Sequence, residues 1–570
     1  MEEKKAKVKF NVLAIICIII FSFVLAPITL QNDTFYTIKI GEHIINNGID
    51  MKDPFSWHED LPYTYPHWAY DTATYLVYHL GEITGIQNGG MLFIYLATAI
   101  LACVLGVLIY ITCCRISKNN LISFFLTMFT IFLIRDFIAA RAQLVTFILF
   151  VLTILFIESY IETNKKRYLF GLIIISIAIA NIHVAVWPFF FVLFMPYIAE
   201  YIIACLIEKN IFATNILHFY KSKIKKYERK LEKAKTEEKR QKLELKLKSA
   251  KEDLNSQKQI VTKIIEKEEK KRKNPYKLKI EKKDNVKWLI LVMVICAFTG
   301  LLTPLGNTPY TYLIKTMQGN TMNSISEHQP LTLYKDVETM VVLILFFGIL
   351  IFTDTKIKLR DFFMLFGLIF LSFMSRRQIS MLFIIGVYIF AKFLSYLVEK
   401  YDKEGCKKAI NMANTLIGRT ITISIVILVS VCFVREKMND KFINEKKYPV
   451  EASTWILENL DIKNMHLYNE YNYGSYLLYR GIPVFIDSRA DLYAPEFNKR
   501  KDEKKGRDIF SDYINISTLG TYYETKFDEY EITHVIVVNN SKLNMFLSRN
   551  ENYTQLYKDS YFVVYERNVD

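Results

Sequence analysis

FNVLAIICIIIFSFVLAPITLQNDTFYTIKIGEH is the sequence of residues 10–43, and it joins an apolar run to a polar segment. The run, residues 10–30, is long enough to cross a bilayer as a helix. It is longer than the core of a typical signal peptide, and Pro27 stands where cleavage would occur. We therefore interpret it as a retained membrane anchor. Asp33 follows within three residues of the run. A carboxylate this close to the membrane is unfavourable unless it is paired or hydrated, so it marks a candidate site.

Apolar runs recur along the chain. Hydrophobic residues make up 52% of its 570 residues, and the mean hydropathy is positive. This composition predicts a polytopic α-helical membrane protein with about eleven transmembrane helices. We place them at residues 10–30, 89–112, 120–134, 141–161, 168–184, 185–207, 287–303, 338–353, 361–374, 379–398 and 414–434.

The net charge of +15 is concentrated in one segment. Residues 221–287 hold 26 Lys and Arg against 12 Asp and Glu, which is nearly the whole excess. The basicity therefore belongs to an insert, and we predict no nucleic-acid partner. Shorter basic segments fall at alternate connections between the apolar runs. By the positive-inside rule they predict a cytoplasmic N-terminus and an extracytoplasmic C-terminal region in the cell membrane.

Four regions follow from this topology. They are an N-terminal transmembrane region, 1–208, with a first exofacial loop at 31–88; a cytoplasmic basic insert, 209–286; a second transmembrane region, 287–435; and an extracytoplasmic domain, 436–570. Residues 69–86 are amphipathic and predict a helix in the outer interface. Heptad spacing in the insert predicts one or two long helices and a coiled coil. Contact of this insert with anionic membrane lipid is the alternative.

The C-terminal region alternates helical and strand-like patterns, which predicts a small α/β domain. We expect helices at PVEASTWILENL, YGSYLLYRG and KLNMFLSRN, strands at NMHLYNEY, PVFIDSR and THVIVVNN, and a closing hairpin. Within FIDSRADLY, we interpret Asp487, Arg489 and Asp491 as ion-paired residues that fix a turn. In HWAYD, His67 and Asp71 are either structural or substrate-binding.

Charged residues from distant parts of the sequence share the predicted outer face. They are Asp33, Asp136, Glu327, His328, Arg376 and Arg377. Arginine binds phosphate oxygens in a fork, and carboxylates hold a metal or an acceptor. This combination at the membrane interface suits a lipid-linked phosphate donor. We expect Asp33 and Glu327 to be the catalytic residues, near a metal or the acceptor, and Arg376 or Arg377 to bind the phosphate.

These motifs resemble the GT-C membrane glycosyltransferases, and among them the catalytic subunit of oligosaccharyltransferase. That family has a catalytic Asp in the first exofacial loop, here Asp33. A later loop carries a Ser-Val-Ser-Glu type motif, which is similar to SISE, residues 324–327. A downstream Arg binds the lipid phosphate, here Arg376 or Arg377. The family's Trp-Trp-Asp-Tyr-Gly acceptor motif is matched in part by YNEYNYG, where Asn472-Tyr473-Gly474 stands at Asp-Tyr-Gly.

The resemblance implies further roles. It implies acceptor binding by His328, Tyr471, Asn472, Tyr473 and Gly474, and a divalent metal, Mg or Mn, at Asp33, Glu327 and Asp136. The second exofacial loop, IRDFIAARAQ, has one Asp where the family has Asp-x-Asp, and both acceptor-motif tryptophans are absent. The likeness therefore concerns the fold and the donor more than the acceptor.

The expected function is transfer of a sugar or glycan from a polyprenyl-phosphate-linked donor to an extracytoplasmic acceptor of unknown identity. A transporter or flippase of lipid-linked glycan, or a noncatalytic membrane scaffold, are the alternatives. A transporter would more often show internal repeats or broken paired helices, and no clear repeat is present. A scaffold would need neither Asp33 nor Glu327.

Overall fold

The structure is a computed structural model, and it describes residues 2–208, 211–232, 234, 236–273, 278–319, 325–332, 334–353, 356–499, 505–520 and 523–568. The chain divides into two compact units. The first comprises Met1–Leu193, Leu291–Phe346 and Leu365–Asp570. The second comprises Phe194–Ile290 and Phe347–Met364.

Apolar helices dominate, and the chain is a multi-pass membrane protein. Within the described residues, six segments are long and apolar enough to span a bilayer. They are Val8–Leu25, Gly89–Ser117, Ala142–Thr163, Val184–Ile207, Arg376–Tyr401 and Leu416–Lys437. Shorter apolar helices cover Asn120–Leu133, Arg167–Ile182, Val286–Thr299 and Val337–Phe352. The helix Leu359–Met374 corresponds to a further predicted span. The count of eleven crossings stays a prediction.

One predicted span is not a continuous helix, and the first helix ends at Leu25, five residues before the end of its predicted span. The span predicted at 185–207 is broken into a short 3-10 turn, Val184–Val186, and two helices, Trp187–Val192 and Met195–Glu208. Further helices of the membrane region are Glu2–Leu25, Thr308–Gln318, Ile379–Tyr401, Lys403–Asn414 and Leu416–Lys437.

Residues 31–88, which we call the first exofacial segment after the sequence-based prediction, are more ordered than the predicted loop. It begins with a helix, Asn32–Asn47, whose inner face buries Phe35, Ile38 and Ile40. The helix predicted at 69–86 is present as Trp68–Ile83. The two helices approach closely at Gly41, where an added Cβ would lie 2.1 Å from the carbonyl oxygen of Asp71. Only glycine allows the helices Asn32–Asn47 and Trp68–Ile83 to pack this closely.

The C-terminal domain is built on a four-stranded sheet. Leu467–Tyr468 runs parallel to His534–Val538, which pairs antiparallel with Phe562–Arg567. The last strand pairs antiparallel with Tyr553–Lys558 at the sheet edge, with a register shift between Gln555 and Tyr557. The predicted closing hairpin is therefore confirmed. Helices of this domain are Val450–Asn459, Tyr471–Tyr479, Pro495–Asn498, Ile509–Ser517, Tyr523–Glu529 and Lys542–Leu547.

The strand predicted at PVFIDSR is wrong. This segment is extended, but it makes a single isolated bridge, from Val484 to Ser56 of the first exofacial segment. Its side chains are buried because the first exofacial segment and the C-terminal domain share one hydrophobic core. The indole Nε1 of Trp57 donates to the carbonyl of Leu467 at 3.0 Å, and His58 bonds the carbonyl of Phe485 at 2.8 Å. Packing of the two segments replaces sheet pairing here.

A buried charge cluster ties these two segments together. Arg489 contacts Asp487 through Nε and Nη2 at 2.9 and 2.6 Å, and Asp53 through Nη1 at 2.7 Å. The guanidinium also lies over the rings of Phe55 and Tyr63. The predicted ion pair at this turn is confirmed for Asp487 and Arg489. Asp491 instead accepts a hydrogen bond from Tyr312.

The second unit contains the basic insert. Its two long helices, Ile211–Glu232 and Glu237–Lys273, confirm the prediction of long helices, while a supercoiled arrangement stays a prediction. Lys251 and Glu228 form an ion pair between them, at 3.5 Å. Two short strands, Leu278–Lys279 and Ile357–Lys358, pair in parallel. Glu200 and Arg360 form a buried ion pair, at 3.3 Å.

Candidate functional site

A cavity of about 540 Å³ lies in the first unit, where the starts of several helices meet the C-terminal domain. Its volume lies within the range of small-molecule sites. The charged and polar lining residues that precede the C-terminal domain include Asn32, Asp33, His67, Arg141, Gln143, His183, Glu327, His328 and Arg377. The C-terminal domain contributes Tyr471, Asn472, Ser488, Arg489, Asp491, Phe510 and Tyr513.

Asp33 occupies the first turn of the helix Asn32–Asn47. The start of that helix is held from both sides. The side-chain amide of Asn32 donates to the carbonyl of Tyr471 at 2.9 Å, and the hydroxyl of Thr34 donates to the carbonyl of Ala140 at 3.3 Å. The first turn also carries the positive end of the helix dipole, which favours a negative side chain there. Asp33 is thereby fixed at the cavity wall.

Arg141 joins the two predicted catalytic carboxylates. Its Nε lies 2.8 Å from Oδ2 of Asp33, and its Nη1 lies 3.6 Å from Oε1 of Glu327. The contact with Asp33 is an ion pair without an aligned N–H direction. Burial alone would lower the pKa of Arg141, but the two carboxylates raise it above its usual value. Asp33 and Glu327 thus share a neighbour, and that neighbour is a guanidinium.

The two adjacent arginines have different partners. Nε of Arg376 pairs with Oδ1 of Asp336 at 2.9 Å, and its backbone N–H donates to the carbonyl of Gln329 at 2.9 Å. Arg376 does not line the cavity, whereas Arg377 does. Among the described residues, no carboxylate forms an ion pair with Arg377. Of the two predicted phosphate ligands, the geometry therefore favours Arg377.

The motif SISE is held against this arginine pair. The hydroxyl of Ser375 donates to the carbonyl of Glu327 at 3.3 Å, which joins the two loops. Ile325, Glu327 and His328 line the cavity. Ser324 lies outside the described residues.

Three histidines surround Arg377 in the cavity wall: His67, His183 and His328. Burial lowers the pKa of His67 and of His328 to about 4, and the positive charge of Arg377 adds to the effect. The rings of His67 and His183 meet edge to face at 4.7 Å. These imidazoles are neutral near pH 7, so the positive charges of the cavity lining are those of Arg141, Arg377 and Arg489. Asp71 is buried outside the lining.

The proposed acceptor residues divide into two groups. Tyr471, Asn472 and His328 line the cavity. Tyr473 and Gly474 do not, which corrects the sequence-based prediction. The hydroxyl of Tyr473 donates to the carbonyl of Ile536 at 2.8 Å within the domain core. Gly474 lies so close to the backbone that an added Cβ would be 1.9 Å from the carbonyl oxygen of Ile486. Both residues support the wall from behind.

Asp136 also lies outside the cavity. Its carboxylate is 82% exposed and lies 4.0 Å from Arg135. It belongs to a short 3-10 turn, Arg135–Phe137, whereas Arg141 is extended and faces Asp33. The structure therefore separates Asp136 from the two acids with which the sequence had grouped it.

Comparison with known proteins identifies the fold. No protein-family model matches the sequence, and no curated protein matches it. A solved structure does match: the apo oligosaccharyltransferase of Archaeoglobus fulgidus, with a TM-score of 0.52 and 12% sequence identity. The match covers 93% of this chain and 69% of that chain. The chain has an oligosaccharyltransferase-like GT-C fold. The family resemblance of the sequence is thus confirmed at the level of the fold.

The oligosaccharyltransferase-like fold raises the question whether the cavity fits a divalent metal. Mg²⁺ and Mn²⁺ take several oxygen ligands, at about 2.0–2.6 Å for hard cations. Within the described ranges, no group of three or more His, Cys, Asp or Glu is arranged to hold a metal ion. Arg141 contacts both Asp33 and Glu327, the two acids that the resemblance assigns to the metal. The side chains present therefore fit a guanidinium between these acids and not a metal.

The sequence did not place Arg141 or His183 at the site, and it left His67 open between a structural and a substrate-binding role. For Arg141, the signal that was available is its place immediately before an apolar run, at the same predicted membrane face as Asp33. The oligosaccharyltransferase-like fold brings Asp33, Arg141 and Glu327 together from positions more than 100 residues apart.

Proposed function

We propose that the chain is a membrane glycosyltransferase that transfers a sugar or glycan from a polyprenyl-phosphate-linked donor to an extracytoplasmic acceptor. The observation that carries the proposal is the grouping of Asp33, Glu327, Arg141 and Arg377 in one cavity beside the end of the first apolar helix. A donor whose lipid tail stays in the bilayer would present its phosphate and sugar at this height.

Each side chain has a role in this proposal. The acceptor attacks the anomeric carbon, the bond from that carbon to the phosphate oxygen breaks, and the lipid phosphate leaves with the negative charge. Asp33 takes the proton that the acceptor loses. Arg377 meets the charge that develops on the phosphate, and a fixed cation in a partly dry site is suited to that task. Glu327 and Arg141 hold Asp33 in position.

The acceptor would enter along the wall formed by the C-terminal domain. The rings of Tyr471 and Phe510 meet at 5.8 Å, and Tyr513 lies next to both. Asn472 is exposed and offers both a donor and an acceptor group at this wall. A surface of aromatic faces with a few polar groups is typical of small-molecule sites. This wall supports acceptor binding without specifying the acceptor.

Orientation in the membrane is part of the proposal. The cavity would face the extracytoplasmic side, and the basic insert would face the cytoplasm. The alternation of basic segments along the sequence supports this orientation.

Transfer of a radioactive sugar from the lipid-phosphate fraction of native membranes to the acceptor fraction tests the function. Asp33→Asn is nearly equal in size and should reduce transfer by at least about 100-fold, because the proton acceptor is lost. Asp136→Asn is the matched control, since that carboxylate is exposed outside the cavity, and should leave transfer unchanged. Transfer that survives Asp33→Asn would leave the transporter or the scaffold as the function.

The two arginines provide a second comparison. Arg377→Gln should raise the donor KM by at least about 10-fold, since a charge-assisted contact to phosphate is lost. The control removes the neighbouring ion pair as a unit, with Asp336→Asn and Arg376→Gln combined, so that no buried charge is left unpaired. Equal KM changes in both variants would argue against a phosphate site at Arg377.

A further inference from the structure

The arginine between the two cavity acids takes the position where the resemblance implies a divalent metal. Arg141 contacts Asp33 at 2.8 Å through Nε and Glu327 at 3.6 Å through Nη1. One rigid, planar cation thereby reaches both carboxylates. A metal ligated by both acids would require this guanidinium to leave.

The backbone fixes Arg141 in this place. It is the residue before the helix Ala142–Thr163, with φ −133° and ψ 152°, and its N–H donates to the carbonyl of Ala139 at 2.8 Å. The neighbouring carbonyl of Ala140 accepts from Thr34, one residue after Asp33. The segment carrying the arginine and the helix carrying Asp33 are therefore joined by the hydrogen bond from the Thr34 hydroxyl to the Ala140 carbonyl as well as by the ion pair.

The charges of the cavity are nearly balanced before any donor enters. The acidic side chains of the lining are Asp33, Glu327 and Asp491, and its arginines are Arg141, Arg377 and Arg489. Arg489, also in the lining, is already paired with Asp53 and Asp487. A divalent cation would have to bind beside two guanidinium groups, and like charges at a few ångströms in a partly buried site repel strongly. A lipid phosphate, by contrast, would find a cation without a carboxylate partner in Arg377.

We propose that Arg141 performs in this chain the role that a divalent metal is expected to perform at the two acids, so that glycan transfer requires no divalent metal. Arg141 acts as a positioning residue: it holds Asp33 and Glu327 in one geometry and supplies the compensating positive charge. The claim about transfer rests on the proposed function, whereas the claim that the acids hold no metal does not.

Cation binding is tested directly with Mn²⁺ and electron paramagnetic resonance on the purified full chain. The wild type and Asp33→Asn should bind the same number of Mn²⁺ ions, because Asp33 belongs to no metal site. Arg141→Ala frees both carboxylates and should gain a Mn²⁺ site, which the double variant Arg141→Ala/Asp33→Asn should lose. A wild-type Mn²⁺ site that disappears in Asp33→Asn would overturn the proposal. So would a folded Arg141→Ala that gains no site.

The activity measurement is transfer in washed membranes with and without EDTA. Wild-type transfer should change by less than 2-fold on adding EDTA or Mn²⁺. Loss of transfer in EDTA and its recovery with Mg²⁺ or Mn²⁺ would refute the proposal. If no transfer is detected under any condition, the proposed function fails, and the Mn²⁺ comparison alone still decides whether Arg141 excludes a metal from the two acids.

Discussion

Replacing Arg489 by Met should destabilise the joint between the first exofacial segment and the C-terminal domain. The guanidinium makes three short contacts, at 2.9 and 2.6 Å to Asp487 and at 2.7 Å to Asp53. Its side chain is 3% exposed and both carboxylates are fully buried. Met has a similar stem but no charge, so it leaves two buried carboxylates without a cation. Removing one partner of a buried ion pair costs about 3–5 kcal/mol, and we expect a loss of that size.

The loss should depend on pH. Burial raises the pKa of Asp53, but Arg489 and the hydrogen bonds of Ser56 outweigh burial and hold it below its usual value. The depressed pKa stabilises the wild type above pH 4, and that contribution is lost as the pH falls. In Arg489→Met, burial dominates and raises the pKa, so the variant loses stability as the pH rises. The difference between the two proteins should therefore be larger at pH 7.5 than at pH 5.

Thermal unfolding of the full chain in detergent at these two pH values measures the effect. Arg549→Met, on the exposed surface of the same domain, is the control and should change stability by less than about 0.5 kcal/mol. Adding Asp53→Asn and Asp487→Asn to Arg489→Met should restore part of the loss, because the unpaired charges are removed. Equal melting temperatures for Arg489→Met and Arg549→Met would refute the reasoning.

Two other predictions concern the C-terminal domain and the membrane orientation. Burial raises the pKa of Glu470 to about 7, so ionisation costs the folded state stability as the pH rises from about 4.5 to 7. At pH 8 the free energy of unfolding of Glu470→Gln should therefore exceed that of the wild type by up to about 2–3 kcal/mol, and the variant should melt at a higher temperature. Near pH 4 the two proteins should melt at the same temperature. Equal melting temperatures of the variant and the wild type at both pH values would contradict this prediction. A cysteine introduced at Glu551 should react with an impermeant maleimide in intact cells, and one at Leu245 in the insert should not. The opposite pattern would reverse the proposed orientation.

Most of the helices and strands follow from the sequence, because long apolar runs predict membrane helices and alternating patterns predict strands. The helix Asn32–Asn47 was missed because its sequence, NDTFYTIKIGEHIINN, combines polar and apolar residues without a clear span. Its helical form depends on packing at Gly41 against the backbone of Asp71, a contact between residues 30 apart. At PVFIDSR the sequence instead predicted a strand that is absent, because the buried apolar residues of this segment face another segment and not a neighbouring strand.

Some residues of the site were predicted from local motifs, whereas others depend on contacts between distant parts of the chain. Asp33 and Glu327 were identified from motifs, and both line the cavity. The sequence was unable to choose between Arg376 and Arg377, since successive residues of a 3-10 turn point about 120° apart and either one can face a site. The pairing of Arg376 with Asp336, together with the position of Arg377 in the cavity lining, favours Arg377. The direction of the Arg141 side chain was not predictable from the sequence, because it depends on the extended backbone of this residue at the start of the helix Ala142–Thr163.

An experimental structure of the full chain with bound polyprenyl phosphate tests the central claim most directly. If Arg377 binds the donor phosphate, a phosphate oxygen should lie within about 3 Å of its guanidinium, the distance of a charge-assisted hydrogen bond. The phosphate should lie inside the cavity that Asp33 lines, with Arg376 still paired to Asp336. A lipid phosphate that binds elsewhere on the protein and makes no contact with Arg377 would contradict the proposed donor site.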